Sequence, residues 1–385
     1  MELNLGVRPR NCPKTVRGNW TEFGCASPNC QFGLTDTVFV LSSKALKDQG
    51  QGSCAECDFY KKDHAFMSIV YLFPGQTSYD PQLMDRLVRT TPLTARMLEN
   101  ASAILGRDLA AHFSPQNQAM FDQTRDVQVS TFLAGYMLAR LLELEGILPD
   151  ACIGFSLGEY NHLVEIGALG FADALKIVDA RGAAHDQGPS GMMLLVYPCD
   201  DGSISKALTH ARSLGPVDIA IRLSKNHFVL AGDKGAVQLA GVWLEKQSQA
   251  RTEVFDHKRP LHSAMFRPAA ERFAHVLERS AWQAPMTEYV SNVEGRFCSP
   301  ASSRELIQLL FRHEFMPLEW ARSTRLLLER FPSAVFVEVG PCSLVTDIFK
   351  LENSHVTCLR TDDSQEGPAV FKATIARLRA KFNAA

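Results

Sequence analysis

The sequence predicts an α/β protein in which a parallel sheet forms a large domain and a smaller subdomain is inserted into it. Short apolar segments that end at glycine or proline alternate with longer segments of helical period, a pattern typical of parallel sheets. Between residues 191 and 255 the order becomes strand, helix, strand, strand, helix, strand. This order is the ferredoxin-like arrangement, so we expect a compact insertion there.

Composition places the individual strands and helices along the chain. Residues 68–73 form an uninterrupted apolar run that a Pro-Gly pair ends, which predicts a buried strand. Strands of the large domain are also expected at 151–153, 335–339 and 356–359, with helices at 127–145, 158–166, 171–185, 343–352 and 369–382. Within the insertion, strands are expected at 192–197, 217–221, 228–231 and 252–255, with helices at 202–213 and 234–249.

The N-terminal region differs in composition from the rest of the chain. Residues 1–66 are rich in small and polar residues and lack a sustained period. We expect either an irregular extension or a natural start at Met67. The predicted large domain then comprises 67–190 and 256–385, and the predicted ferredoxin-like subdomain comprises 191–255.

The overall composition excludes several classes of protein. The 385 residues include 46% hydrophobic and 21% charged residues, and the formal net charge of −2 gives no indication of nucleic-acid binding. No apolar run reaches the roughly 18 residues that a membrane helix requires. The first residues lack the order of a signal peptide. The sequence therefore predicts a cytoplasmic protein that binds neither nucleic acid nor membranes.

The ten cysteines do not predict a metal site. Cys54 and Cys57 form a CxxC pair in the N-terminal region, but a structural zinc site usually needs a second close pair or histidines. The cysteines beyond residue 66 stand singly in apolar or turn segments, as reduced core thiols do. We expect no metal ion.

The segment GFSLG at residues 154–158 is the strongest indication of chemistry. It follows a short predicted strand and precedes a predicted helix, which is the setting of a nucleophile elbow in α/β-hydrolase-like domains. Glycines permit the sharp turn, and the helix N-terminus presents backbone N–H groups beside the serine. A serine at an ordinary turn is the alternative. The context favours Ser156 as a nucleophile.

A serine nucleophile requires a base, and His262 is the best candidate. It follows the predicted insertion at the start of an apolar helix, where a loop tends to open onto the cleft between domains. His257 and His313 are rivals. A single histidine is more often structural, so the pattern alone leaves the three open.

A series of separated segments carries a family resemblance. They are FPGQ at 73–76, GFSLGEY at 154–160, GAL at 167–169, DAL at 173–175, ARG at 180–182, HSAMF at 262–266, SNVEG at 291–295, PLEW at 317–320 and EVGP at 338–341. In this order they resemble malonyl-CoA:acyl-carrier-protein transacylases and the acyltransferase domains of polyketide synthases. The resemblance covers roughly residues 68–360.

The resemblance implies a role for each matching residue. Ser156 is the nucleophile, His262 is the general base and then acid, and the backbone N–H groups of Gln76 and Leu157 form the oxyanion hole. Arg181 binds the free carboxylate of a malonyl group, although helix pattern alone favours a surface arginine. The implied partners are malonyl-CoA and an acyl carrier protein with a phosphopantetheine arm. The implied ester chemistry requires no cofactor.

The sequence departs from the family pattern at two positions near these residues. Phe155 replaces the histidine usually found before the nucleophile, so one hydrogen-bond donor is lost. His313 stands where some members carry a glutamine that helps to position the catalytic histidine, and we include it among the residues of the substrate site. These departures favour a free-standing acyltransferase of a polyketide synthase system over a housekeeping fatty-acid enzyme.

Three other functions are compatible with parts of the pattern. An acyl hydrolase that clears misloaded carrier proteins would use the same dyad but admit water. An ordinary esterase is disfavoured because no HGGG-type segment is present. A non-catalytic module that docks carrier proteins would explain Phe155 but has no use for Ser156, His262 and Arg181 together.

Overall fold

The structure is a computed structural model that describes most of the chain beyond residue 67. The described residues are 68–76, 80, 82–117, 122–256, 258–299, 302–341, 343–363 and 368–384. The expected N-terminal extension, the alternative start at Met67, the CxxC pair and the rival base His257 lie outside the described residues.

Ten strands and thirteen α-helices are named here in chain order within these ranges. The strands are β1 (Ile69–Phe73), β2 (Ala151–Gly154), β3 (Met192–Tyr197), β4 (Val217–Ser224), β5 (His227–Gly232), β6 (Arg251–Asp256), β7 (Tyr289–Ser291), β8 (Arg296–Cys298), β9 (Val335–Glu338) and β10 (Cys358–Arg360). The helices are α1 (Leu83–Val88), α2 (Pro92–Leu105), α3 (Leu109–His112), α4 (Thr124–Leu144), α5 (Gly158–Glu165), α6 (Phe171–Asp186), α7 (Asp201–Ala211), α8 (Lys234–Ser248), α9 (Arg267–Arg279), α10 (Ser303–His313), α11 (Trp320–Arg330), α12 (Leu344–Lys350) and α13 (Pro368–Ala384).

A parallel sheet of order β10-β9-β1-β2 forms the centre of the large domain. Every residue of β1 is buried, and successive side chains enter different cores. Tyr71 and Phe73 pack into the core that contains α4 and α6, whereas Val70 and Leu72 pack into a second core on the opposite face. Burial on both faces is the expected environment of a central parallel strand and explains its apolar sequence.

Helices α4 and α6 approach each other closely on one face of the sheet. The carboxylate of Asp186, at the end of α6, accepts hydrogen bonds from the Thr124 and Arg125 amides at the start of α4, at 2.7 and 3.1 Å. A Cβ atom at Gly182 would lie 2.4 Å from the Cα of Arg125, so only glycine permits this crossing. The contact brings the neighbouring side chains of α4 and α6 into one buried layer.

The insertion forms a separate antiparallel sheet of order β4-β5-β3-β6. Helices α7 and α8 cover one face, and the other face contributes to the second core of the large domain. Backbone hydrogen bonds from Arg222 to Leu318 and from Leu318 to Ala220, at 2.9 and 2.8 Å, join β4 to the segment before α11. The predicted fold class is confirmed, whereas the predicted domain boundaries stay a prediction.

No helix among the described residues is long and apolar enough to cross a membrane.

Candidate active site

A sharp turn between β2 and α5 presents Ser156. This residue has φ +49°, a left-handed value that is costly for any residue other than glycine and that persists only where the surroundings impose it. A Cβ atom at Gly154 would lie 2.1 Å from backbone atoms of Gly158, and one at Gly158 would lie 2.2 Å from the carbonyl oxygen of Phe73. Both glycines are therefore required by close approach of backbone, as the pattern GFSLG predicts.

His262 lies next to this serine. The distance between the Ser156 Oγ and His262 Nε2 is 2.9 Å, and the His262 Nδ1 lies 2.7 Å from the carbonyl oxygen of His313. Because a carbonyl can only accept, Nδ1 carries the proton and Nε2 is left as an acceptor for the serine hydroxyl. In this tautomer the His262 Nε2 can accept the proton of the Ser156 hydroxyl.

Two consecutive carbonyls fix His262 in place. The backbone N–H of His262 donates to the Glu314 carbonyl at 3.1 Å, while the ring donates to the His313 carbonyl. The residue has φ +57° and is 2% exposed, so its conformation is held by its surroundings. The sequence directed attention to the side chain of His313, but the main chain of this residue orients the His262 ring.

The two predicted oxyanion-hole residues lie in the turns that follow β2 and β1. Leu157 is the N-cap residue of α5, and Gln76 lies in the turn after β1. The Phe155 amide donates to the Phe73 carbonyl at 2.8 Å, which holds the elbow against the end of β1. Among the described residues, neither the Gln76 nor the Leu157 amide donates to another backbone carbonyl.

Arg181 is buried and is not a surface residue. It projects from α6 with 1% exposure, its Nε donates to Glu314 Oε1 at 2.7 Å, and its Nη1 donates to Gln128 Oε1 at 2.9 Å. The guanidinium carbon lies 5.8 Å from the centre of the Tyr160 ring on α5. Its Nη2 has no hydrogen-bond partner among the described residues, which leaves one buried donor for a ligand.

Glu314 and Gln128 contact Arg181 and are candidate site residues that the sequence did not indicate. The second carboxylate oxygen of Glu314 accepts from His185 Nε2 at 2.7 Å, and the Gln128 amide nitrogen lies 3.0 Å from His185 Nδ1. An amide nitrogen can only donate, so His185 is neutral with its proton on Nε2. Burial is the main cause that lowers the pKa of His185 to about 4, in agreement with this assignment.

The side chain of His313 carries a positive charge beneath the site. Burial opposes this charge, but the carboxylates of Glu159, at 3.0 Å, and Glu314, at 3.3 Å, raise the pKa of His313 to about 9. Its ring centre lies 5.2 Å from that of His262. The pKa of His262 lies well below its usual value, mainly because the ring is buried and secondly because the charge of His313 is near. His262 is therefore held in its neutral form.

The acyl transferase domain family matches residues 70–356 of this chain. The chain belongs to this family. It is 29% identical over 285 residues to the malonyl CoA-acyl carrier protein transacylase of Salmonella typhimurium, with 73% of this chain and 91% of that protein covered. The resemblance predicted from the motifs is thus confirmed, and the protein is an acyltransferase enzyme.

Solved structures agree with this assignment. The crystal structure of MCAT from Streptococcus pneumoniae matches with a TM-score of 0.74 and 26% identity, covering 80% of this chain and all of that one. A type II polyketide synthase acyl-carrier protein in complex with its malonyl-transacylase, PlMCAT:AntF, matches with a TM-score of 0.73 and 26% identity, covering 80% of this chain and 99% of the matched chain. Membership of this family argues against the ordinary esterase and the non-catalytic module.

Phe155 of this acyltransferase is a core residue. It is 3% exposed, and its ring packs edge to face with Trp320 at 5.0 Å between centres. A Cβ atom at Gly75 would lie 3.0 Å from the Phe155 ring, so the aromatic side chain packs directly against the turn that carries Gln76. The side chain that departs from the family pattern contributes packing beneath the elbow and leaves the Ser156–His262 pair intact.

Proposed function

We propose that this protein transfers a malonyl group from malonyl-CoA to the phosphopantetheine thiol of an acyl carrier protein through an ester at Ser156. The single observation that carries this proposal is the 2.9 Å contact of Ser156 Oγ with the acceptor nitrogen of His262. We infer the malonyl group and the acyl carrier protein from the names of the relatives, which are malonyl CoA-acyl carrier protein transacylases. The reaction belongs to fatty-acid or polyketide synthesis.

In the first step, Ser156 attacks the thioester carbonyl of malonyl-CoA. A C–O bond forms as the hydroxyl proton moves to His262 Nε2, and the carbonyl oxygen becomes an oxyanion that the Gln76 and Leu157 amides receive. The C–S bond then breaks, and the proton passes from His262 to the departing sulfur of coenzyme A. The products are a malonyl-serine ester and free coenzyme A.

The second step repeats the chemistry with a different thiol. The phosphopantetheine thiol of the carrier protein gives its proton to His262 and attacks the ester carbonyl of Ser156. Collapse of the second oxyanion breaks the C–O bond, and the proton returns from His262 to the serine oxygen. The free enzyme is regenerated, so ping-pong kinetics are expected.

Arg181 supports malonyl as the acyl group. Its Nη2 is a buried donor without a partner in the described part of the chain, and a carboxylate is the acceptor that a guanidinium binds most strongly. We place the reaction in the cytoplasm because Cys199, Cys298 and Cys358 are thiols in the structure, as is usual in reducing compartments.

Mass spectrometry of the intact protein tests the proposal. Incubation with malonyl-CoA should add the mass of one malonyl group, which a purified holo carrier protein should then remove and retain. Ser156→Ala, which removes only the nucleophilic oxygen, should gain no mass. Release of free malonate without labelling of the carrier would instead assign the protein as an acyl hydrolase. Labelling of Ser156→Ala at the wild-type level would refute an ester at this serine.

The charge on His313 should extend the activity to lower pH. His313→Gln keeps a polar side chain at this position but removes the cation that lowers the pKa of His262. The pKa of His262 should therefore rise, and the acid limb of the profile of kcat/KM against pH should move upward by about one pH unit.

The acid limb moves upward because His262 acts as a base. A base works only when neutral, so activity is lost as the pH falls through its pKa, and a higher pKa brings that loss at higher pH. His210→Gln, at an exposed position on α7, is the control and should leave the profile unchanged. An acid limb that stays in place or moves downward in His313→Gln would contradict the prediction.

A further inference from the structure

The arginine that is proposed to recognise the malonyl carboxylate is already engaged by a carboxylate of the protein itself. Arg181 Nε and Glu314 Oε1 are 2.7 Å apart, and both side chains are 1% exposed. Burial works against the charge on Glu314, yet Arg181 and the neighbouring histidines keep its pKa well below its usual value. Glu314 therefore carries a full negative charge directly beside Arg181.

Among the described residues, the groups that contact this ion pair supply no second, uncompensated positive charge. His185 is neutral, because it accepts from Gln128 and donates to Glu314. His313 is charged, but Glu159 lies 3.0 Å from its ring. Two cations and two carboxylates, which are Arg181, His313, Glu314 and Glu159, thus leave this buried cluster with no net charge before a substrate arrives.

A malonyl carboxylate and an uncharged acyl group would meet this cluster differently. The carboxylate would gain the free Nη2 donor of Arg181 but would also lie near the Glu314 carboxylate, where water does not screen the repulsion. It would leave the buried cluster with a net negative charge, which is unfavourable in a low-dielectric interior. An acetyl group is neither attracted by Arg181 nor repelled by Glu314, because it carries no charge.

We propose that Glu314 is a specificity-determining residue that cancels the charge of Arg181, so that the enzyme loads short uncharged acyl groups as readily as malonyl. This inference rests on the proposed function, because it concerns the acyl group that Ser156 receives. Glu314 is a positioning residue, because it affects the acyl group only through its contact with Arg181. Acetyl is the simplest substrate of the additional class.

The test is the ratio of kcat/KM for ester formation from malonyl-CoA to that from acetyl-CoA, measured on the full chain by mass spectrometry. In the wild type the two values should agree within about tenfold. Glu314→Gln retains the size of the side chain and an oxygen for Arg181 Nε but removes the negative charge. The ratio should then rise in favour of malonyl by about tenfold or more.

The ratio separates charge selection from general damage to the site. Both thioesters react through Ser156 and His262. A change in this pair therefore alters both rates by the same factor, and the factor cancels in the ratio. Glu165→Gln, at another buried glutamate that pairs with Arg140, is the matched control and should leave the ratio unchanged.

Each outcome has a distinct meaning. A wild-type preference for malonyl of more than about tenfold would overturn the role of Glu314 while leaving the proposed function intact, and this measurement needs no variant. An unchanged ratio in a folded Glu314→Gln protein would overturn it as well. Absence of any ester from either thioester would refute the proposed function and, with it, this inference.

Discussion

Replacement of His262 by alanine should lower the rate of ester formation at Ser156 by about 10²- to 10⁴-fold, the usual contribution of a general base. The Ser156 hydroxyl would lose the acceptor that lies 2.9 Å away, and the departing thiolate would lose its proton donor. Single-turnover labelling with malonyl-CoA measures the loss directly.

A matched control distinguishes this effect from damage to the fold. His275 lies exposed on α9, so His275→Ala removes an imidazole without touching the site and should retain the wild-type rate. Circular dichroism and the unfolding midpoint of His262→Ala should stay close to those of the wild type. A folded His262→Ala protein that retained more than about a tenth of the rate would remove this histidine from the mechanism.

Replacement of Gly158 by alanine should lower both stability and activity severely. The added Cβ atom would lie 2.2 Å from the Phe73 carbonyl oxygen and 2.7 Å from that of Pro74, which are backbone atoms that cannot rotate away. The elbow and the end of β1 would have to separate, at a cost of about 3 kcal/mol or more in the free energy of unfolding. Urea denaturation and the rate of labelling measure the two effects.

Gly170→Ala provides the comparison for this substitution. Gly170 precedes α6 with φ −72°, and an added Cβ atom there would meet no atom of the described chain within 4 Å. The free energy of unfolding should change by less than about 1 kcal/mol, with the labelling rate unaffected. Equal effects of the two substitutions would show that close backbone approach at Gly158 is not what the elbow requires.

The fold could be predicted from the sequence because local pattern and burial agree along most of the chain. The apolar run at 68–73 is buried on both sides, as a central parallel strand must be. The last strand is an instructive difference, since it was expected at 356–359 and lies at Cys358–Arg360. Its position is fixed by pairing with β9, which a local pattern does not contain.

The candidate site could be predicted where the chemistry has a local signature. The elbow at Ser156 could be predicted because its backbone requires the two glycines Gly154 and Gly158. Arg181 could not be judged buried from helical period, because its burial depends on the close approach of α6 to α4 that Gly182 permits.

Glu314 was missed for a related reason. Its partner Arg181 is 133 residues away in the chain, and a glutamate beside a histidine carries no local indication of an ion pair. Only the folded chain brings the two together, so long-range charge pairing is the part of the site that sequence pattern does not reveal.

The contact that aligns the His262 ring ends on a peptide oxygen, and ordinary point mutation does not delete a peptide oxygen. Any amino acid at position 313 would offer the same acceptor, provided that the chain keeps its course after α10. Evolution can therefore vary the side chain there without losing the alignment of the base. The charged imidazole of His313 can therefore change the proton affinity of His262, while the main chain of His313 keeps the His262 ring aligned with Ser156.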